Sequence, residues 1–161
     1  MSADLRKWNS PVHLTPAGLK RLQTKLERLK QSVSHLVSEA ARTAAYGDRS
    51  ENAEYKDAKS TLRRTYRQIS GIEDQLKRVA VIDIKKNAAG TVQLGSTVVV
   101  ESQKGIHKTF QILGSQESAP TEGRISDQSP LGAALLGRAK MDTVMVQTAS
   151  GVQEYRILEI R

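Results

Sequence analysis

Two apolar heptad patterns of nearly equal length, mirrored about one short polar segment, limit what this chain can fold into. The first pattern advances by alternating steps of three and four through Leu19, Leu22, Leu26, Leu29, Val33, Leu36 and Ala40. The second advances in the same way through Tyr55, Ala58, Leu62, Thr65, Ile69, Ile72, Leu76 and Val79. Such seams are typical of helices that pack along one another in a coiled coil.

The residues at the ends of the two seams predict where the helices begin and end. Thr15 and Pro16 suit the N-cap and the first position of a helix, and Gly47 suits a helix end. Equal arms around a short turn predict an antiparallel hairpin within one chain. The alternative is one continuous helix that dimerises, but Gly47 followed by Asp48 favours a break.

The apolar period changes after Val79, and short β-branched runs replace the heptads. We predict strands at about 97–101, 106–113, 143–148 and 152–160, and a short helix that Ser129 and Pro130 begin and Gly137 ends. The fold class is therefore α+β, with a helical hairpin followed by a small β-rich domain. The predicted divisions are an extension at 1–13, the hairpin at 14–86 and the second domain at 87–161.

The composition excludes several kinds of protein. The chain has no cysteine, which excludes disulfides and thiolate zinc sites and fits a reducing compartment. No apolar run approaches the roughly 18 residues of a membrane-spanning helix, and residues 1–11 lack the apolar core of a signal peptide. We expect a cytoplasmic protein without a membrane segment.

The excess of positive charge lies entirely in the first half. Residues 1–89 contain 18 Lys/Arg and 10 Asp/Glu, whereas residues 90–161 contain 7 of each, so the first half alone accounts for the net charge of +8. This asymmetry predicts a polyanionic partner, most simply nucleic acid. A solvated coiled-coil surface is the alternative.

A basic stripe is the clearest local form of this charge. We define it as Lys56, Lys59, Arg63 and Arg67, which follow steps of three, four and four along one helix face. Arg64 lies beside it, Arg42 and Arg49 lie near the turn, and only Asp57 interrupts the run. A row of cations on one face is suited to following a phosphate backbone.

Two carboxylates, Asp48 and Glu51, occupy the predicted turn. Their spacing resembles a capping box, and on spacing alone this structural interpretation is favoured. Two carboxylates one turn apart also suit one Mg²⁺, which takes few protein carboxylates and fills its shell with water and phosphate. At the end of a hairpin such a site would be complete only against another macromolecule that supplied the remaining ligands.

Two segments resemble a known family. Residues 47–55, Gly-Asp-Arg-Ser-Glu-Asn-Ala-Glu-Tyr, resemble the tip of the bacterial Gre transcript cleavage factors, and the Asp-Arg-Ser-Glu-Asn sequence is closer to the GreB branch than to GreA. Residues 125–137, which include Asp-Gln-Ser-Pro-Leu-Gly, resemble the C-terminal segment of that family. The resemblance extends over about residues 14–160.

The resemblance implies a transcription elongation factor that is not itself an enzyme. A monomer would dock its FKBP-like C-terminal domain at the rim of the RNA polymerase secondary channel and insert the coiled coil. Asp48 and Glu51 would help to hold a second Mg²⁺, shared with the polymerase, which then cuts the 3′ end of backtracked nascent RNA and rescues the arrested complex. The implied RNA-contacting residues are Arg42, Arg49, Lys56, Lys59, Arg63, Arg64 and Arg67. The implied docking residues are Asp127, Gln128, Ser129 and Pro130.

The chain departs from the family pattern at two positions, and other interpretations remain. Gln128 stands where the family usually has Asp or Asn, and Met141 replaces the Gly that it has before Asp142. One alternative is a channel-binding regulator that inhibits or retunes polymerase without cleavage. The others are a peptidyl-prolyl isomerase, which the sparse aromatic residues disfavour, and a structural coiled-coil dimer.

Overall fold

The computed structural model describes residues 10–46, 52–82, 90–148 and 151–161. These residues form two compact units. One contains the described residues up to Gly18 together with those from Val79 to Arg161, and the other runs from Leu19 to Arg78.

The elements follow one another in the order strand, two long helices, and then strands with one short helix. The helices are α1 (Pro16–Ala44), α2 (Ala53–Leu76) and α3 (Pro130–Leu135). The strands are β1 (Val12–Leu14), β2 (Val79–Val81), β3 (Thr97–Ser102), β4 (His107–Leu113), β5 (Arg124–Ser126), β6 (Thr143–Thr148) and β7 (Gly151–Ile160).

Helices α1 and α2 form the predicted hairpin. Thr15 caps α1, since its hydroxyl oxygen accepts a hydrogen bond from the backbone N–H of Gly18 at 3.0 Å. Lys30 Nζ, midway along α1, lies 2.7 Å from Glu73 Oε1 in the last turn of α2, whereas Asn52, just before α2, bonds to Thr43 near the end of α1, so the two helices run in opposite directions. Every described seam residue on both helices is buried or half-buried, while most of the residues between them are exposed. The antiparallel hairpin is confirmed.

The seam of α2 is shorter than the sequence predicts. The helix ends at Leu76, and Val79, predicted as its last seam position, lies in β2 instead. β2 pairs in parallel with β1, with Val12 opposite Val79 and Leu14 opposite Val81. Strand pairing with a distant segment therefore overrides the heptad period, and Val12 and His13 form part of a strand rather than only an extension.

The five remaining strands form one sheet in the order β5-β4-β3-β7-β6. β3 pairs antiparallel with both β4 and β7, β6 pairs antiparallel with β7, and β4 pairs in parallel with β5. The pairing between β3 and β7 shifts register between Val99 and Val100.

The core of this unit lies on one face of the sheet, where helix α3 packs. The buried cluster contains Val92, Val98, Val100, Ile112, Ile125, Leu135, Val144, Val146 and Ile157. Ser129 caps α3 by accepting a hydrogen bond from Gly132 N at 3.1 Å, and Gly137 follows the helix with a φ of 76°. The small β-rich domain after the hairpin is confirmed, with its short helix where the sequence predicts it.

A buried carboxylate reinforces the start of α1. Glu117, which is 8% exposed, accepts hydrogen bonds from Thr15 N at 2.6 Å and from Thr15 Oγ1 at 2.8 Å. A carboxylate at a helix N-terminus satisfies a backbone donor and opposes the positive end of the helix dipole. The carboxylate lies against the backbone of Gly18, where a Cβ would overlap it.

Met141 occupies a backbone conformation that suits glycine. Its φ is 74°, and it is the only residue other than glycine with a positive φ among those that the structure describes. Its N–H donates to Ile157 O at 2.8 Å, and the neighbouring Asp142 Oδ2 accepts from Ala139 N at 2.9 Å. These bonds hold the turn closed and keep Met141 in the left-handed conformation. Glycine adopts this conformation most easily, which explains why the family has Gly at this position.

We expect Gly18→Ala and Gly71→Ala to change stability in opposite directions. Alanine favours a helix over glycine by up to about 1 kcal/mol, and Gly71 has open space around it, so Gly71→Ala should stabilise the protein by about 0.5–1 kcal/mol. Gly18→Ala would displace the Glu117 carboxylate from Thr15 and should lower the free energy of unfolding by about 1–2 kcal/mol. Chemical denaturation measures both; a Gly18→Ala protein as stable as wild type would contradict this account.

We expect Met141→Gly to stabilise the protein. A non-glycine residue in the left-handed region destabilises the folded state by about 1–2 kcal/mol, and glycine removes this strain. Glycine also gives the unfolded chain more conformational entropy, which offsets about 0.4–1 kcal/mol of the stabilisation. The net gain in unfolding free energy should be about 0.5–1 kcal/mol by denaturant titration. Lys140→Gly, at the adjacent exposed position without a positive φ, is the matched control and should destabilise.

Candidate functional site

The side chain of Asn52 ties together the two ends of the hairpin turn. Its Nδ2 donates to Thr43 O and to Tyr46 O, both at 2.7 Å, and its Oδ1 accepts from Tyr55 N at 2.9 Å. The first two partners are carbonyls at the end of α1, and the third is an N–H in the first turn of α2. One amide thus satisfies backbone groups that helix ends leave unpaired, and it holds both flanks of residues 47–51.

The capping-box interpretation of Asp48 and Glu51 is wrong for α2. The helix begins at Ala53 and its N-cap is Asn52, whose side chain accepts from the N–H three residues ahead. Asn is among the best N-cap residues, and here it also reaches back to α1. The cap of α2 therefore needs neither carboxylate. Asp48, Arg49 and Glu51 lie outside the described residues, and their roles as metal-holding and RNA-contacting groups stay predictions.

The described cations of the predicted RNA-contacting set are all exposed. They are Arg42 on α1 and Lys56, Lys59, Arg63, Arg64 and Arg67 on α2. None of them forms a salt bridge with a carboxylate of the residues described here, whereas Lys30 and Lys77 on the same hairpin do. The basic stripe therefore faces solvent with its charge uncompensated by close carboxylates of the described chain.

Aromatic rings lie among these cations. Lys59 Nζ is 5.5 Å from the centre of the Tyr55 ring, within the range of a cation–π contact. Tyr66, half exposed, helps to line an open depression on α2 with Leu62, Lys59, Arg63, Arg67 and Ser70. The sequence reasoning missed both Asn52 and Tyr66. The position of Tyr66 between Arg64 and Arg67 is the signal that could have indicated it.

The four predicted docking residues form a tight link between β5 and α3. Ser129 Oγ donates to Ser126 O at 2.6 Å, and Gln128 N donates to Ser126 Oγ at 3.0 Å. Asp127 is half-buried, donates its N–H to Leu113 O at 2.9 Å, and lies 3.7 Å from His13 Nδ1 through Oδ2. The link therefore exposes Gln128 and Pro130 while Asp127 and Ser129 hold its shape.

The remaining electrostatic features lie away from these groups. Hydrogen bonds from Lys77 and from Arg161 lower the pKa of Asp74 and of Glu159, and both are exposed pairs at the ends of elements. Within the described part of the chain, no cluster of three or more His, Asp or Glu residues could hold a metal ion. No helix there is long and apolar enough to cross a membrane.

Comparisons with known proteins cover almost the whole chain. Residues 12–81 match the family profile "Transcription elongation factor, N-terminal", and residues 86–161 match "Transcription elongation factor, GreA/GreB, C-term". The transcription elongation factor GreA of Chloroflexus aurantiacus is 40% identical over 153 residues, which cover 94% of this chain and 98% of that protein. GreA of Clostridioides difficile is 38% identical over 155 residues, which cover 95% and 98% of the two chains.

A solved structure shows a weaker similarity. GreA factor homolog 1 (Gfh1) of Thermus thermophilus is 28% identical, with 94% of this chain and 99% of that chain covered, at a TM-score of 0.43. Similarity to the GreB branch stays a prediction, since the relatives named here are GreA proteins. Matches to both halves, and relatives about 40% identical over nearly their full length, place the chain in the GreA/GreB family of transcription elongation factors.

Proposed function

We propose that this protein binds RNA polymerase through the enzyme's secondary channel and stimulates cleavage of the 3′ end of backtracked nascent RNA. The polymerase and the RNA are the partners, and the site of action is the cytoplasm. The factor is not a nuclease by itself, because the two acids of its turn are too few ligands for a two-metal site. It supplies groups that complete the catalytic centre of another enzyme.

The observation that carries the proposal is the way Asn52 holds the turn. Residues 47–51 contain both acids, and the flanks of this segment are joined by Asn52, which donates to Thr43 O and Tyr46 O and accepts from Tyr55 N. A catalytic group accelerates a reaction most when it is already held in position before the partner binds. A bridged turn at the end of a two-helix arm supports the presentation of Asp48 and Glu51 to a partner.

The donor chemistry of the turn fits Mg²⁺. Asp48 and Glu51 offer hard carboxylate oxygens, and Mg²⁺ in phosphoryl-transfer sites is held by one or two carboxylates with water and substrate oxygens. When bound, the ion activates water and stabilises charge on the phosphodiester. In this proposal, Asp48 and Glu51 would hold the ion, Asn52 would fix the residues that flank their segment, and the basic stripe with Arg42, Arg49 and Arg64 would hold RNA phosphates.

The link between β5 and α3 is the docking candidate. Asp127 and Ser129 are engaged in backbone hydrogen bonds, so they shape the link, and the exposed Gln128 and Pro130 make contact. The relatives that cover this segment are named transcription elongation factors, which supports polymerase as the partner. Gln128 stands where the family usually has Asp or Asn, so in this proposal a longer, neutral amide side chain makes the contact with polymerase.

We expect the Asp48→Ala and Glu51→Ala substitutions, alone or together, to lower stimulated cleavage by at least about 10²-fold. Loss of one carboxylate removes a ligand of the shared Mg²⁺, so the variants should also need more Mg²⁺ for half-maximal rate. The assay follows shortening of radiolabelled RNA in halted polymerase complexes at saturating factor. Asp57→Ala, which removes an exposed carboxylate of α2 outside the proposed set, is the matched control.

The same assay separates the proposal from its alternative. If the wild-type protein binds halted complexes but leaves the RNA at full length, it is a channel regulator without cleavage activity. If the double variant cleaves as fast as wild type, the acids are not the functional groups. Competition with a labelled copy of the wild-type factor confirms that each variant still binds polymerase.

We expect Asn52→Ser to lower the maximal cleavage rate by about 10-fold while the concentration of factor at half-maximal rate stays unchanged. Serine retains an oxygen that can cap α2, but it is too short to bridge the carbonyls of Thr43 and Tyr46. The turn then loses its tie to α1, and misplacement of a catalytic group lowers rate more than binding.

Asn52→Ala distinguishes positioning from stability. It removes the cap as well as the bridge and should cost a further roughly 1 kcal/mol of unfolding free energy, measured by denaturation. The positioning role fails if Asn52→Ser cleaves at the wild-type rate, or if the rate of each variant follows only its loss of stability.

A further inference from the structure

We propose that the depression around Tyr66 on α2 is a binding site for an unpaired nucleobase of RNA, with the Tyr66 ring as the stacking surface. This inference deepens the proposed function, because it assigns a specific contact for the nascent RNA beyond phosphate neutralisation. It concerns the face of α2 formed by Lys59, Leu62, Arg63, Tyr66, Arg67 and Ser70.

The depression has an apolar floor and a cationic rim. Leu62 and Tyr66 are separated by four residues, so they lie one turn apart on the same helix face. Lys59, Arg63 and Arg67 lie beside them at steps of four and are all exposed. Half of the Tyr66 surface remains accessible to solvent. An aromatic surface bordered by a row of cations matches a nucleotide, whose base is flat and apolar and whose phosphates are anionic.

Helix packing does not account for Tyr66. The neighbouring seam residues Thr65 and Ile69 are buried, while Tyr66 lies between the seam and the basic stripe and stays half exposed. Its contact with Leu62 is worth only about 0.2–0.5 kcal/mol, and Tyr is a weaker helix former than the Arg, Lys or Ala residues around it. An exposed aromatic residue at this position contributes little to the hairpin itself.

The chemistry selects a single strand. In a duplex the bases stack on one another, and a side chain of a helix surface cannot insert against their faces at low cost. Unpaired bases stack on aromatic side chains while nearby Lys and Arg follow the backbone. The 3′ segment of backtracked RNA is single-stranded, so both its bases and its phosphates are available to this face.

The test compares variants that separate the ring from the apolar contact. Tyr66→Phe retains the ring, whereas Tyr66→Leu retains an apolar side chain beside Leu62 and removes the aromatic face. Each full-length variant is titrated against a fluorescein-labelled 12-nucleotide single-stranded RNA by anisotropy, at several salt concentrations. We expect Tyr66→Phe to bind as wild type and Tyr66→Leu to bind about 5- to 30-fold more weakly.

Salt dependence and a probe without bases distinguish stacking from charge. Tyr66→Leu should leave the slope of log affinity against log salt unchanged, whereas Arg63→Gln should reduce its magnitude by about 0.7 for one lost phosphate contact. Inorganic polyphosphate of similar charge should bind wild type and Tyr66→Leu equally, since it offers no base. Circular dichroism checks that the helix content of each variant is retained.

Two results would overturn the assignment. One is equal RNA affinity for wild type and Tyr66→Leu, and the other is an equal loss of affinity for RNA and polyphosphate. Neither depends on cleavage: a wild-type protein that fails to shorten RNA in halted complexes contradicts the proposed function, while the anisotropy data decide separately on the base-binding site.

Discussion

Three hydrogen bonds made by one amide side chain connect the two helices of the hairpin at its turn. Asn52 donates to two carbonyls at the end of α1 and accepts from an N–H at the start of α2, and no side chain with donors or acceptors alone could do both. The residues on both sides of the segment that contains Asp48 and Glu51 are therefore bound to one another. The proposed presentation of these two carboxylates to the active site of another enzyme depends on this arrangement.

The apolar residues that pack the hairpin and the cations that give it its charge lie on different faces of α2. The seam residues bury apolar surface between α1 and α2, and the cations of the stripe lie on the outside of α2, where water screens their mutual repulsion. Tyr66 is the exception, since it places an aromatic ring on the charged side. In the β-rich unit, hydrogen bonds between serine side chains and the backbone shape the link from Ser126 to Pro130, in which Gln128 and Pro130 are exposed.

Much of the fold could be predicted because its signals are local. Heptad spacing predicted both long helices, Thr15 and Ser129 were correctly identified as caps, and the β-branched runs at 97–102 and 143–148 form strands. The predictions failed where a distant partner decides the outcome. Val79 leaves the heptad seam to pair with Val12, and Asn52, which also bonds to α1, caps α2 in place of Asp48.

The two arms, the β-rich second domain, the one-sided charge and the family can all be identified from the sequence, since each depends on residue types at short spacings. The binding of Glu117 to the start of α1, 102 residues away, and the bonds by which Asn52 connects the two helices become visible only in the folded chain. So does the depression that Tyr66 shares with three cations. The physical reason is that a hydrogen bond or a shared surface between distant segments leaves no periodic pattern along the chain.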